Sequence, residues 1–312
     1  MLVILCGLPR SGKSTYSSNF NGTILSRDTI REELYGTRNN FDNEELVSCI
    51  FNARLDTALN TQDNVLIDNT NLKLKYIEPF LRMANTYNHD IKIVRFFTDT
   101  ITLYERAKAT NFPIKVINNM ASTQELYKFT VDNLKQFTRT NITIEDIITV
   151  NHSIEELFEL TKFNQNNPFH KDDLNIHCEK VGALAKKEFY KEFLYHDIGK
   201  IMSVDKDLGN YKGHEKAGWY IGQCYNLYNE FILLHMDKFK LRDGMKLKNW
   251  FKKVYDIYKN EKIKYSNISF DNFIEVLCDL WVADAIVHTD TNIDWLYEII
   301  KEVKSYDYKM FC

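Results

Sequence analysis

Residues 2–14 read LVILCGLPRSGKS, an unbroken apolar run that closes in a glycine loop and a Lys-Ser pair. No other stretch limits the possible folds as much. A run of this kind belongs in the middle of a parallel sheet, buried on both faces. The loop at 7–14 fits GxxxxGK[ST], with a strand before it and a helix beginning at KSTYSSNF after it. In that setting loop amides and a helix N-terminus converge on an anion. Gly7, Pro9, Ser11, Gly12, Lys13, Ser14 and Thr15 are the candidate nucleotide-binding residues. Lys13 would face the β- and γ-phosphates and Ser14 would be a ligand of Mg²⁺, so the implied cofactor is ATP or GTP with Mg²⁺.

Further apolar runs at 23–28 (TILSRD), 64–68 (NVLID), 90–97 (DIKIVRFF) and 144–150 (IEDIITV) alternate with helical patterns. The helical stretches are 42–60, 74–87, 99–136 around a loop at 111–113, and 153–162. Strands alternating with helices imply a parallel α/β sheet flanked by helices. After about residue 162 the pattern changes. FNQNNPFHKDD is a polar connector, and helical periodicity then recurs at 178–195, 213–228, 229–238, 244–259, 268–288 and 293–304. The expected domains are thus an α/β domain over 1–160 and an all-α domain over 161–312, an ordinary size for each.

Composition narrows the class. A hydrophobic fraction of 44% excludes disorder, and 11 Gly with 4 Pro exclude long flexible linkers. A net charge of −3 offers no overall basic surface, though a local basic groove stays possible. The six cysteines form no CxxC pair, which argues against a cysteine zinc site and fits reduced thiols in the cytoplasm. The N-terminal apolar run lacks a basic segment before it and ends in the phosphate loop, so no signal peptide is expected. No apolar stretch reaches membrane-spanning length, and no membrane partner is expected. Oligomeric state stays open.

Within the first half, SRDTIR places Asp28 at a strand end and Arg31 one helical turn later. A carboxylate there can take the proton of an acceptor hydroxyl, and the arginine can hold an acceptor phosphate. The plain alternative for Asp28 is a helix N-cap. Asp68 ends the VLID strand in a Walker-B-like place, within reach of Mg²⁺ through water, or is an ordinary cap. Asn69, Thr70 and Asn71 follow it and could position substrate. Arg106 and Lys108, just before NFPIKVINNM, are either lid cations over the phosphates or solvated helix charges.

The phosphate loop, the SRDxxR element, the xDNTNL strand end and the Pro-containing lid helix together span roughly residues 1–155. In these features the chain resembles the 5′-kinase module of phage polynucleotide kinases. The resemblance implies that Asp28 is the general base for a 5′-hydroxyl, that Arg31 contacts the acceptor's phosphate, and that Lys13 and Arg106 serve phosphoryl transfer. The chain departs from the pattern at Asn69, where an aspartate is often found and where Asp68 lies beside it. The lid also lacks its second arginine, which leaves both Arg106 and Lys108 open.

In the second half, LYHDIGK at 194–200 sets His196 beside Asp197 after an apolar segment. Asp is rarely buried unpaired. Around it stand His177 (NIHCEK), His214 (KGHEKAG), His235 (LLHMD) and Asp284 (VADAI). His177 and Asp284 face the apolar sides of their helices, where an uncompensated carboxylate costs on the order of several kcal/mol. Imidazole and carboxylate ligands suit Mn²⁺, Ni²⁺, Fe²⁺, Zn²⁺ or Mg²⁺. Taken singly, each histidine reads as an ordinary core or surface residue. Taken in order, His…His-Asp…His…His…Asp over roughly 165–290 resembles the HD phosphohydrolase superfamily. The flanks QNNPFH, FLYHDIGK and GHEKAG resemble HD domains attached to tRNA nucleotidyltransferases. The resemblance implies one ion on His177, His196, Asp197 and Asp284, a second involving His214 and His235, and metal-assisted hydrolysis of a phosphoester. Lys200, one turn after His196 on the same helix, is a candidate substrate-phosphate contact. His89, His152 and His288 have no partner pattern and read as structural. His170 falls outside the ligand order.

Kinase and phosphoesterase on one chain resemble kinase–HD RNA-repair enzymes. The implied substrates are nucleic-acid ends, RNA in preference to DNA, with a nucleoside triphosphate as donor. A separate RNA ligase would complete the repair. Two alternatives remain at this level: a nucleoside or nucleotide kinase fused to an HD nucleotidase, and an active kinase with a non-catalytic HD docking or regulatory module.

Overall fold

A computed structural model describes residues 1–61, 64–168, 170–260, 268–288 and 292–308. Cys312 and Phe169 of the QNNPFH stretch lie outside the described residues. Backbone contacts divide the chain into two compact units. The first comprises Met1–Met120 and Gln124–Val150, and the second comprises Ala121–Thr123 and Asn151–Cys312.

The first unit runs β1 (Leu2–Gly7), α1 (Lys13–Ser17), β2 (Thr23–Leu25), α2 (Arg27–Tyr35), α3 (Glu44–Asn60), β3 (Val65–Asp68), α4 (Leu74–Thr86), β4 (Ile91–Thr98), α5 (Thr100–Ala109), α6 (Ile114–Thr123), α7 (Val131–Lys135) and β5 (Ile142–Thr149), with α6 ending inside the second unit. The five strands pair in parallel in the order β2-β3-β1-β4-β5. Every residue of β1 is buried, as its apolar run requires. Val3 and Leu5 pack with Leu66, Val94 and Phe96 on one face, closed by Tyr16, Phe20 and Ile147. β1 is the central strand, and the loop leaving its C-terminal end opens where ligands of such sheets bind.

Two boundaries differ from the sequence expectation. The strand expected over 23–28 stops at Leu25, because Ser26 caps α2 by accepting from the Asp28 amide at 3.2 Å. Asp28 is therefore inside the first helical turn and is not the N-cap. The helix after the phosphate loop is only Lys13–Ser17, where Ser18 and Asn19 turn their side chains back on the Thr15 carbonyl.

The second unit is helical: α8 (Ile154–Glu159), α9 (Leu174–Ala183), α10 (Tyr190–Leu194), α11 (His214–Cys224), α12 (Asn229–Leu234), α13 (Asp237–Arg242), α14 (Leu247–Asn260), α15 (Phe270–Val287) and α16 (Asp294–Ser305). Among the described residues of this unit only isolated β-bridges occur, Asn164 with Asp173 and Asp205 with Asn210. The core is rich in large rings, with Phe231 stacked on Phe273 at 4.7 Å and Trp250 beside Trp281 at 5.6 Å.

Helical periodicity over 178–195 does not continue as one helix: α9 ends at Ala183, and a 3-10 turn at Lys187–Phe189 leads into α10. The 229–238 stretch likewise divides into α12 and α13. HDIGK is not α-helical either, since Ile198–Met202 form a 3-10 run entered through Asp197 at φ −105°, ψ 8°. Lys200 thus lies one 3-10 turn beyond Asp197, not one α-turn beyond His196 on a shared helix. Among the described residues no helix is long and apolar enough to cross a membrane.

Candidate functional site

In the first unit the sheet aims four segments at the loop after β1. Gly12 adopts φ 101°, a left-handed conformation open to glycine, and hands the chain into α1. Thr98, at the end of β4, donates its hydroxyl to the Ser11 carbonyl at 3.1 Å. Lys13 is buried and its ammonium folds back onto the Gly7 and Leu8 carbonyls at 3.0 and 2.8 Å. Burial lowers its pKa to about 8, against the opposing pull of the Asp68 carboxylate. Ser14 and Thr15 are exposed, Pro9 is half-buried and Ser11 is buried.

The residues after β3 are bound into this frame. Asp68 accepts from the Ser17 hydroxyl at 2.9 Å, Asn69 accepts from the Arg27 amide at 3.1 Å, and Thr70 accepts from the Gly7 amide at 2.9 Å. Asn71 is buried with φ 46° and donates to the Leu5 carbonyl at 2.8 Å. Expected from sequence as substrate contacts, Asn69 and Asn71 have these polar atoms committed to holding β1, β3 and α2 together.

Asp28 and Arg31 do meet. Arg31 Nη1 donates to Asp28 Oδ1 at 2.5 Å, while Nε and Nη2 clasp Glu44 at 2.6 and 2.8 Å. Arg31 is buried and its guanidinium lies 4.7 Å from the Phe41 ring centre, whereas the Asp28 side chain is 61% exposed. Glu44 was not legible as a partner; its one signal was an acidic residue in the first turn of α3. Of the two candidate lid cations, Arg106 reaches the phosphate loop, donating from Nη1 to the Arg10 carbonyl at 3.0 Å, and Lys108 is exposed.

In the second unit all six expected ligands converge and are buried. His177, from α9, has Nε2 3.2 Å from Asp284 Oδ1 and 3.6 Å from Asp197 Oδ2; His196 Nε2 is 3.4 Å from each of those oxygens. On the other side of the same carboxylate, His214 and His235 Nε2 stand 3.1 and 3.3 Å from Asp197 Oδ1. Asp197 thus presents one oxygen to each ligand set.

Local backbone explains this aim. Nδ1 of His196, His214 and His235 donates to the carbonyls of Phe193, Tyr211 and Ile232 at 2.8, 2.7 and 2.6 Å, each three residues earlier. A carbonyl only accepts, so each Nδ1 carries a proton and each ring turns its Nε2 inward. Yet His214 and His235 Nε2 lie 3.0 Å apart, and His177 and His196 Nε2 3.3 Å apart. Asp284 Oδ1 is buried and forms no hydrogen bond. Ligand-type atoms crowded in this way suit a shared cation. With metal–ligand bonds of about 2.0–2.2 Å, ligands on one ion stand about 2.9–3.5 Å apart, close to the observed spacing. The donor set therefore fits one or two divalent ions.

Two lysines enclose the cluster. Lys200 is buried and bonds Asp197 Oδ2 at 2.7 Å and Gln165 Oε1 at 2.8 Å, and buried Lys238 pairs with Asp284 Oδ2. Burial opposes charge on Asp197, but Lys200 and His196 outweigh it and hold the carboxyl well below the usual range. Asp284 behaves alike through Lys238 and His177. Burial also works against charge on His196, yet Asp197 and Asp284 push its pKa up to about 9. His177 and His235 are lowered, chiefly by burial.

The histidines set aside in the sequence divide. His89 bonds the Leu59 carbonyl at 2.9 Å, and His152 lies 3.9 Å from Glu156. His288, by contrast, comes to 3.3 Å from Asp284 Oδ1, so it does have a partner within the cluster. Its signal was present, since His288 follows Asp284 by four residues. His170 joins it, with ring centres 4.3 Å apart and Nε2 3.4 Å from Lys200.

The family described as AAA domain matches residues 2–126. The L-seryl-tRNA(Sec) kinase of Methanococcus maripaludis is 26% identical over 254 residues, which cover 67% of this chain and 94% of that protein. The N-terminal unit is a P-loop kinase-like domain, similar to a tRNA-related kinase, and is followed by a helical region that holds the His/Asp cluster.

Proposed function

We propose that the chain is a bifunctional nucleic-acid end-healing enzyme acting on RNA. The N-terminal unit phosphorylates a 5′-hydroxyl from ATP or GTP, and the helical unit, read as an HD domain, hydrolyses a 2′,3′-cyclic or terminal phosphate. One observation carries the reading: a phosphate loop with an Asp28–Arg31 pair shares a chain with a buried cluster of inward-facing Nε2 atoms and two carboxylates. Both chemistries act on phosphate. RNA cleavage that leaves a 5′-OH and a cyclic phosphate creates a substrate for each.

In the kinase half, Lys13 leaves the Gly7 and Leu8 carbonyls to meet the β- and γ-phosphates, while Ser14 and Asp68 would hold Mg²⁺, which would offset phosphate charge. Asp28 accepts the acceptor hydroxyl's proton. Arg31, braced by Glu44, holds the Asp28 carboxylate in place and turns its remaining N–H groups to the acceptor's phosphate. Arg106 closes over the loop. In the hydrolase half, His177, His196, Asp197 and Asp284 would hold one ion, and Asp197, His214 and His235 a second. Such ions supply water activation and charge stabilisation for phosphoester hydrolysis. Lys200 orients Asp197 and faces the substrate phosphate.

The test is end-group analysis of a 5′-OH, 2′,3′-cyclic phosphate oligoribonucleotide with ATP and Mn²⁺ or Ni²⁺. Lys13→Ala should abolish 5′ phosphorylation and keep 3′-end hydrolysis; Asp197→Ala should do the reverse. Absence of both activities in the unaltered protein would refute the proposal. The likeness to a seryl-tRNA kinase favours a second reading of the first half, with the acceptor hydroxyl on an aminoacyl group. Labelled-phosphate transfer to seryl-tRNA but not to the oligoribonucleotide would select it.

A further inference from the structure

We propose that His288 is a fifth ligand of the ion held by His177, His196, Asp197 and Asp284, and that it biases this position toward a borderline transition ion over Mg²⁺. The inference rests on the reading of the cluster as a metal centre and names a ligand outside the His/Asp order of the sequence.

His288 caps α15 with φ −71° and ψ 118°, so the chain turns away from the helix while the ring returns to Asp284 one turn earlier. Its Nε2 is 3.3 Å from Asp284 Oδ1. That oxygen also has His177 Nε2 at 3.2 Å and His196 Nε2 at 3.4 Å, and it is the buried carboxylate oxygen that forms no hydrogen bond. Three imidazole nitrogens around one unsatisfied oxygen describe a shared cation better than any pairwise contact. The rings are also packed as a group. His288 lies 5.1 Å from His177 and 4.3 Å from His170, centre to centre, and ligand atoms of His170, His177 and His288 lie within 4.8 Å of one another. The His288 side chain is 18% exposed against 2% for His177, which puts it on the open side of the set.

With His288 the first position offers three imidazoles and two carboxylates; the second offers two imidazoles and the shared Asp197. Nitrogen-rich sets favour Co²⁺, Ni²⁺ and Zn²⁺ over Mg²⁺, which prefers oxygen. His288 raises the imidazole share of the first position from two ligands in four to three in five, which shifts that position toward these ions.

The full chain, stripped of metal, is titrated with Co²⁺ alone. The unaltered protein should bind it, and His288→Ala should weaken one of the two classes of site by about tenfold to a hundredfold while leaving the other in place. His288→Cys should retain binding and add a thiolate-to-cobalt charge-transfer band in the near ultraviolet, an outcome that a purely structural side chain would not produce. The Cys variant carries the test if the Ala variant fails to fold. Unchanged Co²⁺ affinity in His288→Ala, or no such band in a folded, cobalt-binding His288→Cys protein, overturns the inference and leaves the metal reading intact. No Co²⁺ binding by the unaltered protein overturns both.

Discussion

At the scale of single residues, the phosphate loop shows how closely sequence spacing can track local geometry. Its residues are neighbours in the chain, so GxxxxGK[ST] already contains their arrangement. Glu44 was not legible in the same way, because its partner is delivered only by folding: Arg31, across a loop. Lys13 carries a pH prediction. Burial lowers its pKa to about 8, while phosphates favour its charged form. Nucleotide binding must then take up a proton above that pH. Affinity should be flat below it and weaken by up to about tenfold per pH unit above it. Nucleotide titrations across that range should show the break, and Lys13→Arg should flatten it. Asp197 gives a second prediction. Because one oxygen faces each ligand set, Asp197→Asn should lower metal content at both positions together, to below one ion per chain on the order-of-magnitude losses expected for a lost ligand. Elemental analysis reads this directly, and loss at one position alone would contradict the shared role.

At the scale of elements, the sequence expectation held for the five parallel strands and for the helical character of the second half. It missed where helices break. Periodicity over 178–195 and in HDIGK read as helix because apolar spacing alone cannot distinguish α from 3-10 turns. The break has a packing cause. A methyl group on Gly199 would run into the His214 carbonyl and the Gly218 amide, so the 3-10 segment lies directly against the start of α11. That approach brings Asp197 to His214. Gly199→Ala should part the two segments, cost at least about 1–3 kcal/mol of stability, and remove the ion on Asp197, His214 and His235 first. Thermal melts and metal titration of this variant check both effects. In α2, Ser26→Ala should cost about 1 kcal/mol through the lost cap and reduce phosphorylation by loosening the turn that carries Asp28. An unchanged melt would show the cap to be dispensable.

At the scale of the whole molecule, two compact units carry two clusters of polar residues that a core would otherwise exclude. The second unit buries His177, His196, Asp197, Lys200, His214, His235, Lys238 and Asp284, so its stability should depend on what fills the centre. An ion present at a hundred times its dissociation constant adds about 2.7 kcal/mol to the folded state. Chelation should then lower the melting temperature of this unit by about 5–10 °C. The Lys13→Ala protein should show the same drop, since its change lies in the other unit. Calorimetry with and without chelator measures it, and an unchanged melt would mean the cluster is stable without ions.

Lys200 on Asp197 and Lys238 on Asp284 have one more consequence. Two ammonium groups match the two carboxylates in formal charge, so once the imidazoles are neutral, as metal ligation requires, the centre's own groups sum to zero. Each divalent ion then leaves an excess of two positive charges inside a region that water does not screen. An anion of phosphate type restores neutrality. Ion and phosphoester should therefore raise each other's affinity by the same factor, and the centre would hold its ions most tightly while it holds a substrate.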